Sequence, residues 1–212
     1  MKKYFNIIVA ILLLAATTPG CKKSDSAQPK NYTLSIKDKT WWGELAYTGK
    51  TPEYYSVHFN PDNTLTWSQF QGDYTGHWAI NNKQVTITFD GNSTQIKADI
   101  SDDDNLVNIT DNTTASEIKS GEMAANSTIT LDNSVWTGNT QIPTKALQLN
   151  FKTGLQATIN LENTPVKTYT YTKYSSNSVI RISTIFFGII ISGSKMKGSI
   201  DNSVFTWQAT KQ

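Results

Sequence analysis

Apolar and polar residues alternate with a period of two along most of the chain after residue 40. Val57 and Phe59 alternate with polar neighbours, the turn sequence Pro61–Asn63 follows, and Leu65 and Trp67 then resume the alternation. Such runs, about five to eight residues long, are separated by clusters of turn-forming residues. This pattern is typical of short antiparallel strands with one buried and one solvated face. It predicts an all-β protein built as a meander, a sandwich or a barrel.

A second series of alternating runs begins at Val135–Trp136 and continues to the C terminus. Trp42 leads to Phe59 in the first series as Trp136 leads to Phe151 in the second, and each Phe ends a strand that a tight turn follows. This correspondence indicates an internal duplication. We predict two small antiparallel barrels or half-barrels in tandem, with one merged barrel or sandwich as the alternative.

The first series contains four segments in a characteristic order. A leading tryptophan precedes FNPDNTLTW, GHWAINNKQVTITF and IKADISDDDNLVNI, and Asn63 stands where a Gly is usual in the first turn. These segments resemble the lipocalin-like repeat common in lipoproteins of Bacteroidota. The C-terminal GSKMKGSIDNSVFTWQATKQ resembles the closing hairpin of small lipocalin-like or avidin-like barrels. The resemblance implies lipocalin-like repeats at 38–113 and 134–212, with 114–133 as the connector.

The N terminus has the composition of a secretory signal peptide. Lys2 and Lys3 are followed by an unbroken apolar run over 7–16. A run of this length is too short, at helical rise, to cross the hydrocarbon core of a bilayer. We therefore predict residues 1–20 to be a signal peptide that directs export.

Cys21 is the only cysteine of the chain. Exported proteins usually pair their structural cysteines, so a lone cysteine directly after a signal peptide needs another explanation. The segment TTPGC at 17–21 resembles a bacterial lipobox, whose cysteine is acylated and becomes the new N terminus. We predict Cys21 as a lipid attachment site, 21–37 as a flexible tether, and a location in the cell envelope at the outer membrane. An ordinary secretory peptide with a free thiol is the alternative.

The numbers of basic and acidic side chains indicate whether the protein binds nucleic acid. Lys2 and Lys3 account for the formal net charge of +2, so the rest of the chain carries equal numbers of basic and acidic side chains. A nucleic-acid-binding domain normally carries a basic excess. We predict no nucleic-acid partner, and contact with the membrane through the lipid anchor.

The titratable residues form no catalytic or metal-binding pattern. His58 and His77 are predicted to face outward on strands two apart, roughly 9–10 Å from each other by strand spacing, which is too far for one zinc ion. An ordinary acidic turn is favoured over a calcium site at 102–104. Glu44 and Asp99 are the only acids placed within predicted strands, and no nucleophile motif is present. We predict a protein that is not an enzyme and has no metal or cofactor.

Tryptophans are the strongest candidates for ligand contact. Trp41 and Trp42 are adjacent on one strand and must point to opposite faces. We expect Trp42 to fill the barrel end and Trp41 to lie outside, available to stack on a sugar or to pack on the other repeat. Trp67 and Trp78 are expected on the inner face, where core packing is favoured over ligand contact.

The segment TIFFGIIIS is apolar on both faces of its predicted strand. Phe187 and Ile189 share one face, and Phe186 and Ile190 share the other, which we expect to point outward. A strand with one solvated side should not be apolar on both, so something should cover the outer face. Packing of one repeat against the other is favoured over a partner surface or the membrane.

Two functions follow from this interpretation. The first is a lipid-anchored, non-catalytic envelope protein that binds a small apolar molecule or a glycan through Trp41, Trp67 and Trp78. The second is a protein-binding lipoprotein, an inhibitor or an assembly subunit, that uses the apolar face around Phe186 and Ile190. A large internal cavity would favour the first, and a filled core with an exposed apolar patch would favour the second.

Overall fold

The computed structural model describes a fold made almost entirely of strands. It covers the ranges 30–47, 51–112, 116–124, 129–175, 177–200 and 205–212. The predicted signal peptide and Cys21 lie outside these ranges. Within them, the single helix is α1 (Tyr32–Ile36). The prediction of an all-β protein is confirmed.

Eight antiparallel strands form the first barrel. In chain order they are β1 (Lys39–Tyr47), β2 (Glu53–Phe59), β3 (Thr64–Gln69), β4 (Gly72–Asn81), β5 (Gln84–Phe89), β6 (Gln95–Ile100), β7 (Leu106–Asp111) and β8 (Ser116–Ala124). Each strand pairs with the next, and β1 also pairs with β8, which closes the sheet. The β7–β8 pairing runs through Leu106 and Gly121.

Eight further strands form the second barrel. They are β9 (Ser134–Thr140), β10 (Ala146–Lys152), β11 (Gln156–Leu161), β12 (Lys167–Tyr174), β13 (Val179–Ile182), β14 (Phe186–Ser192), β15 (Lys195–Ile200) and β16 (Phe205–Lys211). The order is again sequential, and β16 pairs with β9 to close the barrel. The chain therefore forms two tandem meander barrels and not one merged barrel or sandwich.

The tight turns use residues that tolerate a left-handed backbone. Asn63 has a φ of 67° and Asn82 a φ of 54°, while Gly91 and Gly154 have φ values of 76° and 73°. Asn and Gly adopt this conformation at lower cost than other residues, which allows short connections of two to five residues between these twisted strands. The hairpin turns expected at these positions are present, and Asn63 serves in the place of a Gly.

A short segment before each first strand plugs one end of its barrel. Ile36 of α1 is fully buried in the core of the first barrel, and Tyr32 packs beside it. Leu131, with Ile129 beside it, occupies the corresponding place in the second barrel. The predicted tether 21–37 thus ends in a helix that belongs to the first barrel.

The predicted connector 114–133 differs from the expectation in a similar way. It contains β8, which pairs with β1 along most of its length. It also contributes Leu131 to the core of the second barrel. Irregular alternation in this stretch concealed a strand, and the stretch therefore belongs to the two barrels that it connects.

An apolar cluster joins the outer faces of the two barrels. This inter-barrel cluster consists of Trp42 and Tyr54 from the first barrel and Val179, Phe187 and Ile189 from the second. All five side chains are buried. Burial between the barrels raises the pKa of Tyr54 to about 12, with a smaller contribution from the charge of Glu44. The expectation that one repeat packs on the other is therefore confirmed.

Arg181 and Lys197 hold the edges of the interface. The Arg181 guanidinium donates to the carbonyl oxygens of Gln69 (2.8 Å) and Phe70 (3.2 Å) and to the Asp73 carboxylate (2.7 Å). The Lys197 ammonium lies 4.7 Å from the centroid of the Trp42 ring. Such contacts between charges and carbonyl or aromatic groups fix the orientation of the two sheets.

The two barrels lie side by side with their ends aligned. Thr40, near the start of β1, donates to the carbonyl oxygen of Ser175, which follows β12, over 3.4 Å. Tyr54, near the start of β2, hydrogen-bonds with the Gln141 side chain, which follows β9. The end that α1 plugs in the first barrel therefore lies beside the plugged end of the second.

Candidate functional site

The three tryptophans proposed for ligand contact are buried inside the first barrel. Trp41, Trp67 and Trp78 all belong to its core cluster. Their indole N–H groups donate within the protein, to the Asp104 carbonyl (2.8 Å), the Gln69 side-chain oxygen (2.9 Å) and the Asn60 carbonyl (3.1 Å) respectively. Buried and hydrogen-bonded indoles fill the core of the barrel.

The expected faces of Trp41 and Trp42 are reversed. Trp41 points inward, with its ring centroid 5.3 Å from that of Phe59, whereas Trp42 points outward into the inter-barrel cluster. The alternation correctly placed the two residues on opposite faces. It did not show which face was internal, because the second barrel covers the outer one.

The same reversal applies to the proposed partner surface. Phe186 and Ile190 lie in the core of the second barrel, where the Phe186 ring centroid is 4.4 Å from that of Trp207. Phe187 and Ile189 point outward and are covered by the first barrel. The face around Phe186 and Ile190 is thus internal and not a surface.

A concave apolar pocket opens at the unplugged end of the second barrel. This mouth pocket has a volume of about 190 Å³. It lies among the end of β11, the start of β12, the start of β14 and the end of β15. Its lining residues are Ile159, Leu161, Thr164, Pro165, Lys167, Tyr169, Ile185, Phe186 and Ile200. The pocket is therefore a hydrophobic recess at the barrel opening.

The rim of the mouth pocket is also apolar. Three hairpin turns at this end each present an exposed aliphatic side chain: Ile142 is 72 % exposed, Val166 59 % and Ile185 36 %. Turn positions are normally polar, and single exposed apolar residues need no explanation. Ile185 lines the recess, Val166 lies between its lining residues Pro165 and Lys167, and Ile142 is in another turn at the same end. Three exposed aliphatic residues at the end that holds an apolar recess indicate a surface that binds something apolar.

The polar groups of the mouth pocket are few. Lys167 is exposed at the start of β12, and Thr164 lies in the preceding turn. Apolar walls with one or two polar groups at the edge are typical of sites for small molecules, in which the polar groups orient the ligand.

The opposite end of the second barrel is more polar. The Tyr171 hydroxyl donates to the Asp132 carboxylate at 3.2 Å, and the Lys173 ammonium donates to the Ile129 carbonyl at 3.3 Å. Burial, reinforced by the hydrogen bond to Asp132, raises the pKa of Tyr171 to about 12. These bonds fasten the plugging segment to β12, and a shallow recess of about 270 Å³ lies over this segment.

The two histidines differ in environment. His77 is exposed and lies 3.5 Å from the Asp90 carboxylate. His58 points out of the first barrel but is buried, and its Nδ1 is 2.9 Å from the Thr40 hydroxyl. Burial lowers the pKa of His58, while the nearby charge of Asp38 opposes that shift. The expectation of two surface histidines is therefore wrong for His58.

Acidic and metal-ligating side chains do not assemble in the part of the chain that the structure covers. Among those residues, no three His, Cys, Asp or Glu side chains come close enough to hold a metal ion. The stretch 102–104 forms a hairpin turn, and Glu44 and Asp99 lie in the two different strands β1 and β6.

The chain was compared with known proteins. No protein-family model matches it, and no similar curated protein or solved structure was found. The described residues contain no helix long and apolar enough to cross a membrane. The resemblance to lipocalin-like repeats stays a prediction.

The mouth pocket was missed at the sequence level. Its floor consists of strand residues that alternate like any other core positions, such as Ile159 and Phe186. The signal that could have located it is the apolar residue in each of the turns around Ile142, Val166 and Ile185. Loops carry function more often than strands do, so apolar residues in several turns at one end of a barrel indicate a binding surface there.

Proposed function

We propose that this protein is a lipid-anchored, non-catalytic binding protein of the bacterial cell envelope, held at the outer membrane through Cys21. Its ligand is a small apolar molecule that enters the mouth of the second barrel. The apolar recess of about 190 Å³, with the exposed Ile185 in its wall and exposed Val166 between its lining residues Pro165 and Lys167, is the observation that carries this proposal.

The size of the recess limits the ligand. An engineered apolar cavity of about 150 Å³ in another protein binds benzene, so a recess of this volume accommodates one ring or a short aliphatic segment. The rim formed by Ile142, Val166 and Ile185 extends the apolar surface beyond the recess. We expect a ligand whose apolar end enters the barrel while the rest lies across the rim.

The position of the mouth suits an anchored protein. The chain enters the first barrel at the end that α1 plugs, and the mouth lies at the opposite end of the aligned pair. An anchor preceding α1 would attach the protein from the plugged end, which leaves the mouth open to ligands in the aqueous phase.

The test is fluorescence titration with N-phenyl-1-naphthylamine, an uncharged apolar probe, on the chain that begins at residue 22. We expect saturable binding of one probe per chain. Ile185→Asp should weaken it at least about tenfold, because a carboxylate placed at the recess must lose water when the probe binds. Leu155→Asp is the matched control, since Leu155 is an exposed aliphatic residue at the opposite end of the same barrel.

The outcomes separate this proposal from others. Unsaturable binding, or an equal loss in both variants, would refute the mouth as the site. Saturable capture of a protein by the rim, without probe binding, would instead support the protein-binding lipoprotein as the function.

A further inference from the structure

A second concavity crosses the outer face of the second barrel. This polar groove has a volume of about 500 Å³ and lies over β15, β16 and β9, with Ile191 of β14 at one side. Its floor is one continuous piece of sheet, because β15 pairs with β16 and β16 pairs with β9. The groove is lined mainly by polar side chains, whereas the mouth pocket is mainly apolar, and no residue lines both.

Outward-pointing side chains form two polar rows across the groove. The strand register places the members of each row directly opposite one another. The rows are Lys197–Gln208–Asn139 and Lys195–Thr210–Thr137.

The chemistry of these rows suits a ligand rich in hydroxyl groups. The amides of Gln208 and Asn139 each donate and accept hydrogen bonds, and so does the hydroxyl of Thr210. The Thr137 hydroxyl accepts from the Gln212 amide and can still donate to a ligand. A sugar hydroxyl also donates and accepts, so it matches such partners better than a phosphate, which at neutral pH mainly accepts. Side chains on neighbouring strands stand about 5 Å apart, which allows several hydroxyls of one ligand to be bound at once.

The charge of the groove is positive. Lys195 and Lys197 both line it, and none of the lining side chains that the structure describes is acidic. An anionic group on the ligand would therefore be attracted at close range and by charge-assisted hydrogen bonds.

One wall of the groove is held in place by the packing of the two barrels. The Lys197 ammonium lies 4.7 Å from the Trp42 ring centroid and 5.6 Å from that of Tyr54. Ile191 packs against the inter-barrel cluster. Side chains already held in position lose less conformational freedom when a ligand binds, which favours affinity.

We infer that the polar groove binds an acidic oligosaccharide, whose carboxylate or sulfate groups lie near Lys195 and Lys197 and whose hydroxyls bond to the amides and threonines. This site is separate from the proposed mouth site, and it needs neither the apolar ligand nor the lipid anchor.

The experiment is calorimetric titration of the full-length chain in detergent with short oligomers of galacturonate, guluronate and hyaluronan, and with neutral maltohexaose. We expect at least one acidic oligomer to bind at least about tenfold more tightly than maltohexaose and to weaken as salt is raised from about 50 to 300 mM. Lys195→Ala and Gln208→Ala should each weaken that binding by about fivefold or more.

Two control variants make the result specific. Lys152→Ala removes an exposed lysine at the end of β10, outside the groove, and should leave affinity unchanged. Ile185→Asp should also leave it unchanged, which separates this site from the mouth. The inference is overturned if none of the three acidic oligomers binds saturably at millimolar concentration, if maltohexaose binds equally well, or if Lys152→Ala is as damaging as Lys195→Ala.

Discussion

At the scale of single residues, His58 makes the stability of the fold depend on pH. Its ring is buried at the edge of the interface, where the Thr40 hydroxyl contacts both His58 and the Ser175 carbonyl of the second barrel. Its Nε2 lies 3.7 Å from the Asp38 carboxylate. Burial nevertheless dominates and lowers the pKa of His58 below its ordinary value of 6.5.

The sign of the pH effect follows from this shift. Below about pH 6.5 the unfolded chain binds a proton at His58 that the folded chain resists. His58 therefore contributes stability that is complete above pH 6.5 and is lost as the pH falls through the lowered pKa of the folded state. The slope from one group cannot exceed about 1.4 kcal/mol per pH unit.

We predict that His58→Gln flattens the dependence of unfolding free energy on pH between 7.5 and 5.5. The measurement is urea denaturation at several pH values in that window. His77→Gln is the matched control, because His77 is 66 % exposed and its replacement leaves the surroundings of His58 in place. A wild-type slope in His58→Gln would contradict the assignment.

At the scale of strands, the alternation predicted which residues share a face but not which face is internal. Both members of the Trp41–Trp42 pair are buried, as are both members of the Phe186–Phe187 pair. A period of two places adjacent residues on opposite faces of the strand. When both faces are apolar, it does not show which of the two residues points into the barrel. The ambiguity arises because the two barrels cover each other's outer faces. This packing belongs to the tertiary structure, and the local sequence pattern does not reveal it.

The turns were predictable for a different reason. Asn63, Asn82 and Gly91 occupy backbone conformations that few other residues adopt, so their positions in the sequence mark the hairpins directly. The mouth pocket and the polar groove depend on where strands from distant parts of the sequence end and pair. Neither site has a local signature, apart from the apolar turn residues.

Arg181 connects the two barrels through three hydrogen bonds. It is mostly buried, and its guanidinium bonds to two backbone carbonyls and one carboxylate of the first barrel. We predict that Arg181→Ala lowers the free energy of unfolding by about 2–3 kcal/mol, because the carbonyls of Gln69 and Phe70 lose their charged donor.

Asp73→Ala is the comparison for this prediction. It removes only the carboxylate and leaves both carbonyl contacts of Arg181, so we expect a loss of about 1 kcal/mol or less. Denaturation followed by tryptophan fluorescence measures both variants. A loss for Asp73→Ala equal to that for Arg181→Ala would show that the ion pair, and not the carbonyl contacts, holds the barrels together.

At the scale of the whole molecule, the proposed arrangement is a tethered pair of barrels. Residues 31–212 form one compact unit, so a single anchor would position both barrels. One acyl chain holds a protein only marginally on a membrane, whereas several acyl chains hold it stably.

We predict that Cys21→Ser abolishes acylation of the protein in cells that make it. Fractionation should move the chain from the membrane pellet to the soluble fraction or leave it as unprocessed precursor without incorporated acyl label. Gly20→Ala serves as the control, because it keeps both a small residue and the cysteine. Continued incorporation of labelled palmitate in Cys21→Ser would contradict the anchor.

The most direct measurement of the central claim is methyl NMR of the protein during titration with a small apolar ligand such as naphthalene. The proposal predicts saturable shifts in the methyl groups of Ile159, Leu161, Ile185 and Ile200 at the mouth. Methyl groups of Leu131 and Leu155 at the plugged end should not shift. Shifts that are absent, that do not saturate, or that centre on the plugged end would contradict the proposal that the second barrel binds its ligand through its mouth.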